Sequence, residues 1–431
     1  MTIPEIYSLF VKSNGINTDT RTIQSGEIFV SLKGDNFNGN FYAEKAIKLG
    51  ASFVLIDEVD YQNDQRYILV DSCLHTLQLL ANYHRQQFNI PVLAITGTNG
   101  KTTTKELIMS VLSVDNCVVA TVGNLNNHIG VPLTLLSITS RTEFAIIEMG
   151  ANKVGDIREL CSIANPTHGV IINVGKAHLE GFKSFEGVVQ TKTELYDFLY
   201  NGNKVAFVNG NQKELKSNAS RFNNVIYFQN DELNSLSLSD KESAIEVVTP
   251  SNFTIQTNLI GAYNLDNIAA AYQIGDYFGV SEVKIRQAIA LYVPSNNRSQ
   301  VILKRCGTIL LDAYNANPFS MDVALDSLVS CKGVKYAIIG DMFELGDYTD
   351  VEHLKIIRKC IDSNVQTLFC GELFYNHRSE FKSLHFFKNR NDLVLHLKKD
   401  RKWLQAKYSL LIKGSRGMAL EKILDEVDFD L

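Results

Sequence analysis

Ala94-Ile95-Thr96-Gly97-Thr98-Asn99-Gly100-Lys101-Thr102-Thr103-Thr104 follows an apolar run over 92–95 and opens a helical pattern over 102–112. Strand, glycine turn and helix in that order make a phosphate cradle. Glycines let backbone N–H groups wrap an anion, and the helix N-terminus adds a favourable dipole. In such a loop Lys101 bridges the β- and γ-phosphates and the Thr102 hydroxyl reaches Mg2+. The spacing, G-x-x-G-K-T, is shorter than the commoner G-x-x-x-x-G-K-[ST], because Ile95 stands where the usual first glycine falls. A glycine turn alone is a common solvent loop; one followed by Lys-Thr between a strand and a helix is not. The segment 97–103 therefore predicts ATP binding through Gly97, Thr98, Asn99, Gly100, Lys101, Thr102 and Thr103.

Outward from the loop, buried-type runs at 117–120, 144–147 and 169–174 alternate with helical or loop segments, the rhythm of a parallel sheet wrapped by helices. Upstream, short strands at 27–32 and 53–56 flank a helical stretch at 42–49, and a helix over 74–87 leads away from a small first unit. Over 204–260 short strands appear without long helices, which predicts an added antiparallel edge before a helix starting near Asn264. A polar break at 294–299 precedes strands near Val301 and Thr308. Further strands at 336–339, 367–370, 384–387 and 408–412 alternate with helices in a second open sheet. The expected class is α/β in three domains: a small α/β unit over 1–88, a central P-loop parallel-sheet ATPase unit over 89–295, and a Rossmann-like unit over 296–431.

Composition bounds the partners. Hydrophobic residues are 45% and charged residues 21% of the 431, ordinary globular values. A net charge of -5 offers no basic face for a phosphate backbone, so nucleic acid is not an expected partner. The run Lys398, Lys399, Asp400, Arg401, Lys402 reads as a solvated helix face. Seven scattered cysteines without a C-x-x-C pair indicate neither a disulfide framework nor a zinc site and fit a reducing compartment. Residues 1–10 place Pro4 and Glu5 where a signal peptide needs basic and then apolar residues, and no apolar run is long enough to span a bilayer. A soluble cytoplasmic protein without membrane insertion is expected.

Beyond the loop, three side chains are candidates for metal chemistry. The run over 144–147 ends in Glu148, a carboxylate at the C-terminal end of a buried strand, where open sheets gather ligands and where oxygen suits Mg2+. His178 lies just past the next strand; taken alone it reads more readily as a structural histidine than as a ligand. Lys192, in a helical stretch over 184–199, looks by itself like a solvated lysine.

Taken together, 97–102, Glu148-Met149-Gly150-Ala151-Asn152 and Asn173-Val174-Gly175-Lys176-Ala177-His178 resemble, in order and spacing, the Mur ligases of peptidoglycan synthesis. Gly261-Ala262-Tyr263-Asn264-Leu265-Asp266-Asn267 continues the match. Asp312-Ala313-Tyr314-Asn315-Ala316-Asn317-Pro318, Gly340-Asp341-Met342-Phe343-Glu344-Leu345-Gly346 and Lys413-Gly414-Ser415-Arg416-Gly417-Met418 look like the branch that adds D-alanyl-D-alanine to UDP-N-acetylmuramoyl-tripeptide. The D-N-P-R segment of the neighbouring branch, which adds the third amino acid, is missing. The resemblance covers nearly the whole chain and implies a first domain holding the UDP end, a central ATPase, and a last domain that closes over ATP and the incoming amine.

By matching position, the resemblance makes Lys101, Glu148, His178 and Lys192 the catalytic set. Thr102, Glu148, His178 and a carbamylated Lys192 would hold two Mg2+ ions. A carbamate turns a lysine cation into a carboxylate that a metal can bind. Asn264 and Asn267 resemble adenine-side residues, and Arg298, Asp312 and Asn315 would reach ATP from the last domain. Asp19, Thr20 and Arg21 resemble the uridine-side motif; Asn126 and Asn127 lie in what looks like the muramoyl-peptide loop. Departures are local: Thr193 replaces a usual glycine, Asn296-Asn297 replaces Pro-Gly, Asn38-Gly39-Asn40-Phe41-Tyr42 replaces Asp-Gly-His-x-Phe, and Leu311 stands where a second aspartate is common. A monomer is expected. The rival readings are a folylpolyglutamate synthase-like ligase with the same loop and a non-catalytic nucleotide-binding regulator of the same fold.

Overall fold

The computed structural model describes residues 1–175, 179–229, 236–238, 245–400, 404 and 407–430. Its centre is a six-stranded, all-parallel sheet in the order Val225–Phe228, Val205–Asn209, His168–Ile171, Val92–Thr96, Phe144–Glu148, Val118–Ala120. These strands read as continuous apolar runs because both faces are covered. Ala94, Ala145, Ile147, Ile171 and Val208 pack on one side, and Leu93, Ile95, Ile146, Val170 and Phe207 on the other. The chain runs from Val92–Thr96 toward one edge and returns through His168–Ile171 on its other flank, so the strand order reverses beside the phosphate loop. That reversal opens a crevice at the carboxyl ends of the strands.

The helix Lys101–Leu112 leaves the loop and packs along Asn264–Tyr277. Close approach is secured at Gly275, where a Cβ would fall 2.4 Å from Val111 Cγ1. The expectation of an antiparallel edge over 204–260 needs correction. Val205–Asn209 and Val225–Phe228 extend the parallel sheet, joined through the helix Lys213–Ala219, while Ser237–Leu238, Glu246–Val248 and Thr254–Gln256 form a separate three-stranded antiparallel sheet. Seven residues of helix give too short a pattern to stand out in sequence.

Before the central sheet lies a four-stranded parallel sheet, Ile16–Asn17, Ile28–Val30, Phe53–Ile56 and Tyr67–Leu69. The stretch over 42–49 divides into a 3-10 turn, Gly39–Tyr42, and a short helix, Ala43–Lys48. Ser72 caps the helix Cys73–Gln86 by accepting from the His75 N–H at 3.3 Å. Leu77, Leu80 and Ala81 of that helix share one apolar cluster with Val131, Leu135 and Leu160 beneath the central sheet, so the two sheets are joined by packed side chains.

After it comes a second six-stranded sheet, Gln300–Lys304, Gly307–Asp312, Tyr408–Lys413, Val334–Gly340, Gln366–Cys370 and His385–Phe387, parallel except for its first pair. The last strand in sequence inserts between two earlier ones. This brings the ends of Gly307–Asp312, Val334–Gly340 and Tyr408–Lys413 side by side. Among the described residues no helix is long and apolar enough to cross a membrane.

Candidate active site

Gly100 starts the helix Lys101–Leu112 with φ +78°, and a Cβ there would lie 2.4 Å from Asn267 Oδ1, so conformation and space both require glycine. The end of a neighbouring strand holds the loop. Thr98 N–H donates to the Asn173 carbonyl at 3.0 Å, Asn99 N–H donates to Asn173 Oδ1 at 3.0 Å, and Asn173 Nδ2 returns a bond to the Asn99 carbonyl at 3.1 Å. Lys101 Nζ turns back onto the loop, donating to the carbonyls of Gly97 (2.8 Å) and Thr98 (3.1 Å). Loss of water pushes its pKa down to about 8, against the pull of Glu148 and with a further push from Arg298.

Glu148 is 1% exposed at the end of its strand. Its Oε2 accepts from the Thr102 hydroxyl at 2.9 Å and its Oε1 from Asn126 Nδ2 at 2.9 Å, while its backbone N–H donates to Thr121 Oγ1. Strand end and phosphate loop thus bring together a buried hydroxyl and a carboxylate, a hard-oxygen set that fits Mg2+ once phosphate oxygens and water complete the shell. Lys192 lines the same cleft. It is 3% exposed, with Nζ 5.7 Å from the centre of the Phe182 ring. Burial first, and Lys101 second, lower its pKa well below that of an ordinary lysine, which favours the neutral amine. His178 lies outside the described residues.

The cleft, about 290 Å³, is closed from the other side by the last sheet. Lys413, 1% exposed, forms an ion pair with Asp312, and its Nζ also donates to the Asn315 carbonyl at 3.2 Å. Asp312 Oδ1 accepts from the Ser299 N–H at 3.1 Å, and Arg298 lies over the Tyr314 ring at 3.6 Å. Asn264 and Asn267 are buried on the wall of the cleft; Asn267 Nδ2 donates to Asn264 Oδ1, and the Thr104 hydroxyl donates to Asn267 Oδ1. Lys101, Glu148, Lys192, Asn126, Asn264, Asn267, Arg298, Asp312 and Asn315 therefore converge on one cleft.

Four expected substrate residues stand elsewhere. Asp19 and Arg21 pair with each other at 2.6 Å in the turn that follows Ile16–Asn17 of the first sheet, next to buried Thr20, and none of the three lines the cleft. Asn127 Oδ1 accepts from the N–H groups of Ile129 and Gly130, opening the helix Gly130–Leu136. Reading residue by residue missed Lys413 and Asn317. Lys413 closes a buried strand, the same strand-end position that marked Glu148, whereas nothing local distinguishes Asn317 as a cleft residue.

The Mur ligase middle domain family matches residues 95–275. The UDP-N-acetylmuramoyl-tripeptide--D-alanyl-D-alanine ligase of Bacillus subtilis (strain 168) is 33% identical, over 96% of this chain and 93% of its own length. MurF from Acinetobacter baumannii superposes with a TM-score of 0.86 at 26% identity, covering 97% of each chain. The MurF ligase from Thermotoga maritima, solved in complex with ADP, superposes with a TM-score of 0.85 at 27% identity, covering 96% of this chain and 97% of its own. Matched over nearly the full length of these proteins, the chain belongs to the Mur ligase family, in the branch of the UDP-N-acetylmuramoyl-tripeptide--D-alanyl-D-alanine ligases.

Proposed function

We propose that this protein joins D-alanyl-D-alanine to UDP-N-acetylmuramoyl-tripeptide with hydrolysis of ATP to ADP and phosphate, as a peptidoglycan precursor ligase working in the cytoplasm as a monomer. The observation that carries the reading is the contact of Thr102 with Glu148 beside Lys101, facing Asp312 and Lys413 across one cleft. The tripeptide's terminal carboxylate oxygen attacks the γ-phosphorus, the bond from phosphorus to the ADP oxygen breaks, and an acyl phosphate forms. The dipeptide amine then attacks the acyl carbon, the carbon–oxygen bond breaks, inorganic phosphate leaves, and the nitrogen sheds a proton.

Lys101 orients and neutralises the β- and γ-phosphates, and in binding them exchanges its two loop carbonyls for charge-assisted bonds. Thr102 and Glu148, with His178, would hold one Mg2+; Lys192, carbamylated, would hold a second. Bound there, the metal supplies charge neutralisation to phosphoryl transfer. The depressed pKa of Lys192 supports the carbamate, because CO2 adds only to the neutral amine. Asn264 and Asn267 take the adenine side, and Arg298, Asp312 and Asn315 the nucleotide from the last domain. Asp19, Thr20 and Arg21 serve the uridine end, and Asn126 and Asn127 the muramoyl-peptide loop. The domains are 1–88, 89–295 and 296–431, a division supported by the separate sheets on either side of the central one.

The test is mass spectrometry of products from ATP, Mg2+ and UDP-N-acetylmuramoyl-tripeptide, with and without D-alanyl-D-alanine, beside a folate-plus-glutamate control. Pentapeptide formed only with the dipeptide supports the reading; glutamylated folate would transfer the chain to the related ligases. ATP binding with neither product would favour the regulator. Intact-protein mass of samples trapped under CO2 tests the carbamate, and an unmodified Lys192 peptide would overturn it.

A further inference from the structure

Asn317 stands at the start of the helix Pro318–Ser330, with its Oδ1 accepting from the Ser320 N–H at 2.8 Å. That bond caps the helix and uses only the oxygen of the amide. The nitrogen points the other way: Asn317 Nδ2 donates to Asn99 Oδ1 at 2.9 Å, from the last sheet's side of the cleft to the phosphate loop. The main chain of Asn99 is already pinned on both sides by Asn173, which leaves its side chain to be oriented by Asn317. Asn99 Nδ2 is buried and has no partner among the described residues, an unusual cost for an amide donor. Asn99 lines the cleft beside Lys101, so a phosphate oxygen there would satisfy that donor.

Building on the ligase reading above, we infer that Asn317 is a positioning residue: it fixes the amide of Asn99 by its oxygen, so that the Asn99 nitrogen is presented to the nucleotide's phosphates when the last sheet sits on the loop. One side chain thereby ties a helix cap in the last sheet to the phosphate grip in the central one. The loop would then reach full affinity for nucleotide only in the closed arrangement. Residues at the two ends of the bond are 218 positions apart in sequence, so only the fold can join them.

Asn317→Ser tests this, because serine also caps helices but carries no amide to reach Asn99. Four proteins are compared: the unsubstituted chain, Asn317→Ser, Asn99→Ala and the double variant, with kcat/KM for ATP from pentapeptide formation and Kd for ATP from calorimetry. Loss of one neutral hydrogen bond should lower kcat/KM for ATP about fivefold in Asn317→Ser, leaving KM for the UDP substrate and the melting temperature unchanged. Adding Asn317→Ser to Asn99→Ala should cost nothing more, since the two act through one bond. Unchanged ATP parameters in Asn317→Ser, or losses that multiply in the double variant, would overturn the inference. If Asn317→Ser does not fold, Asn317→Thr, another capping side chain without an amide, enters the same cycle. Calorimetry reads the coupling without turnover, so an unsubstituted chain that binds ATP but makes no pentapeptide would refute the ligase reading and leave the Asn99–Asn317 bond separately decided.

Discussion

The pKa of Lys101 gives the protein a pH dependence of definite sign. Burial lowers it to about 8 from an ordinary value of 10.5. Free of nucleotide, Lys101 is then roughly nine-tenths ammonium at pH 7 and roughly one-tenth at pH 9. Only the ammonium grips the β- and γ-phosphates, so kcat/KM for ATP should fall about tenfold between pH 7 and pH 9, with a single limb near 8. In the complex the phosphates favour the charged lysine, which moves the corresponding limb of kcat to higher pH. Initial rates of ADP release at saturating UDP substrate and dipeptide, with ATP varied at each pH, separate the two profiles. Lys101→Arg supplies the control: the guanidinium stays charged throughout, so a weaker enzyme should lose the limb. A kcat/KM for ATP that stays flat to pH 9.5, or a limb that persists in Lys101→Arg, would refute the reasoning.

Three further outcomes follow from the same geometry. Thr102→Val removes the hydroxyl that meets Glu148 at 2.9 Å while keeping shape; Mg2+ dependence of the rate should shift to higher concentration with the melting temperature little changed, read by Mg2+ titration. Asn126→Asp puts a second carboxylate against Glu148 where an amide now donates at 2.9 Å. Two such groups cannot both ionise, so one takes a raised pKa and the native state binds the extra proton. Stability lost, about 1–3 kcal/mol, should widen as pH rises above the ordinary carboxyl range and narrow on acidification or with added Mg2+, measured by thermal melts. Lys413→Met leaves Asp312 without its buried cation; unfolding should become easier by about 3 kcal/mol, and Lys413→Met with Asp312→Asn should recover part of that loss in the same denaturant melts.

How much of this was legible depended on whether the signal was local. The central strands announced themselves as apolar runs because a covered parallel sheet demands them, and the phosphate loop because its function needs consecutive residues. Glu148 could be placed from its strand end alone. The partner that orients it could not. Asn126 lies 22 residues away, on a loop where an asparagine reads as any turn residue, and only the sheet's return beneath that loop sets its amide on the carboxylate. Asn127, next to it and indistinguishable in sequence, turns instead to the start of a helix. The strands over 205–228 were misread for a related reason: a strand's parallel or antiparallel partner is a property of the connection, and a seven-residue helix is a faint connection. Lys413 looked like part of a motif without a task, because its task is to neutralise Asp312, 101 residues earlier.

Electrostatics of the cleft predict that nucleotide binding and the seating of the last sheet on the phosphate loop are coupled. Arg298 disfavours the charge of Lys101, and Lys101 that of Lys192, while Glu148, the carboxylate that favours the Lys101 charge, is already occupied by two neutral donors. Arg298 belongs to the segment that enters the last sheet, so bringing that sheet onto the central one adds a cation beside Lys101. Without an anion, closure works against this repulsion in a poorly solvated space. A polyphosphate reverses the sign: Lys101 regains its full charge, Arg298 acquires a counter-charge, and the hydrogen bond between Asn317 and Asn99 holds without opposition. The same cations that disfavour the empty cleft therefore favour the nucleotide-filled one, and ATP is predicted to strengthen the contact between the last sheet and the phosphate loop.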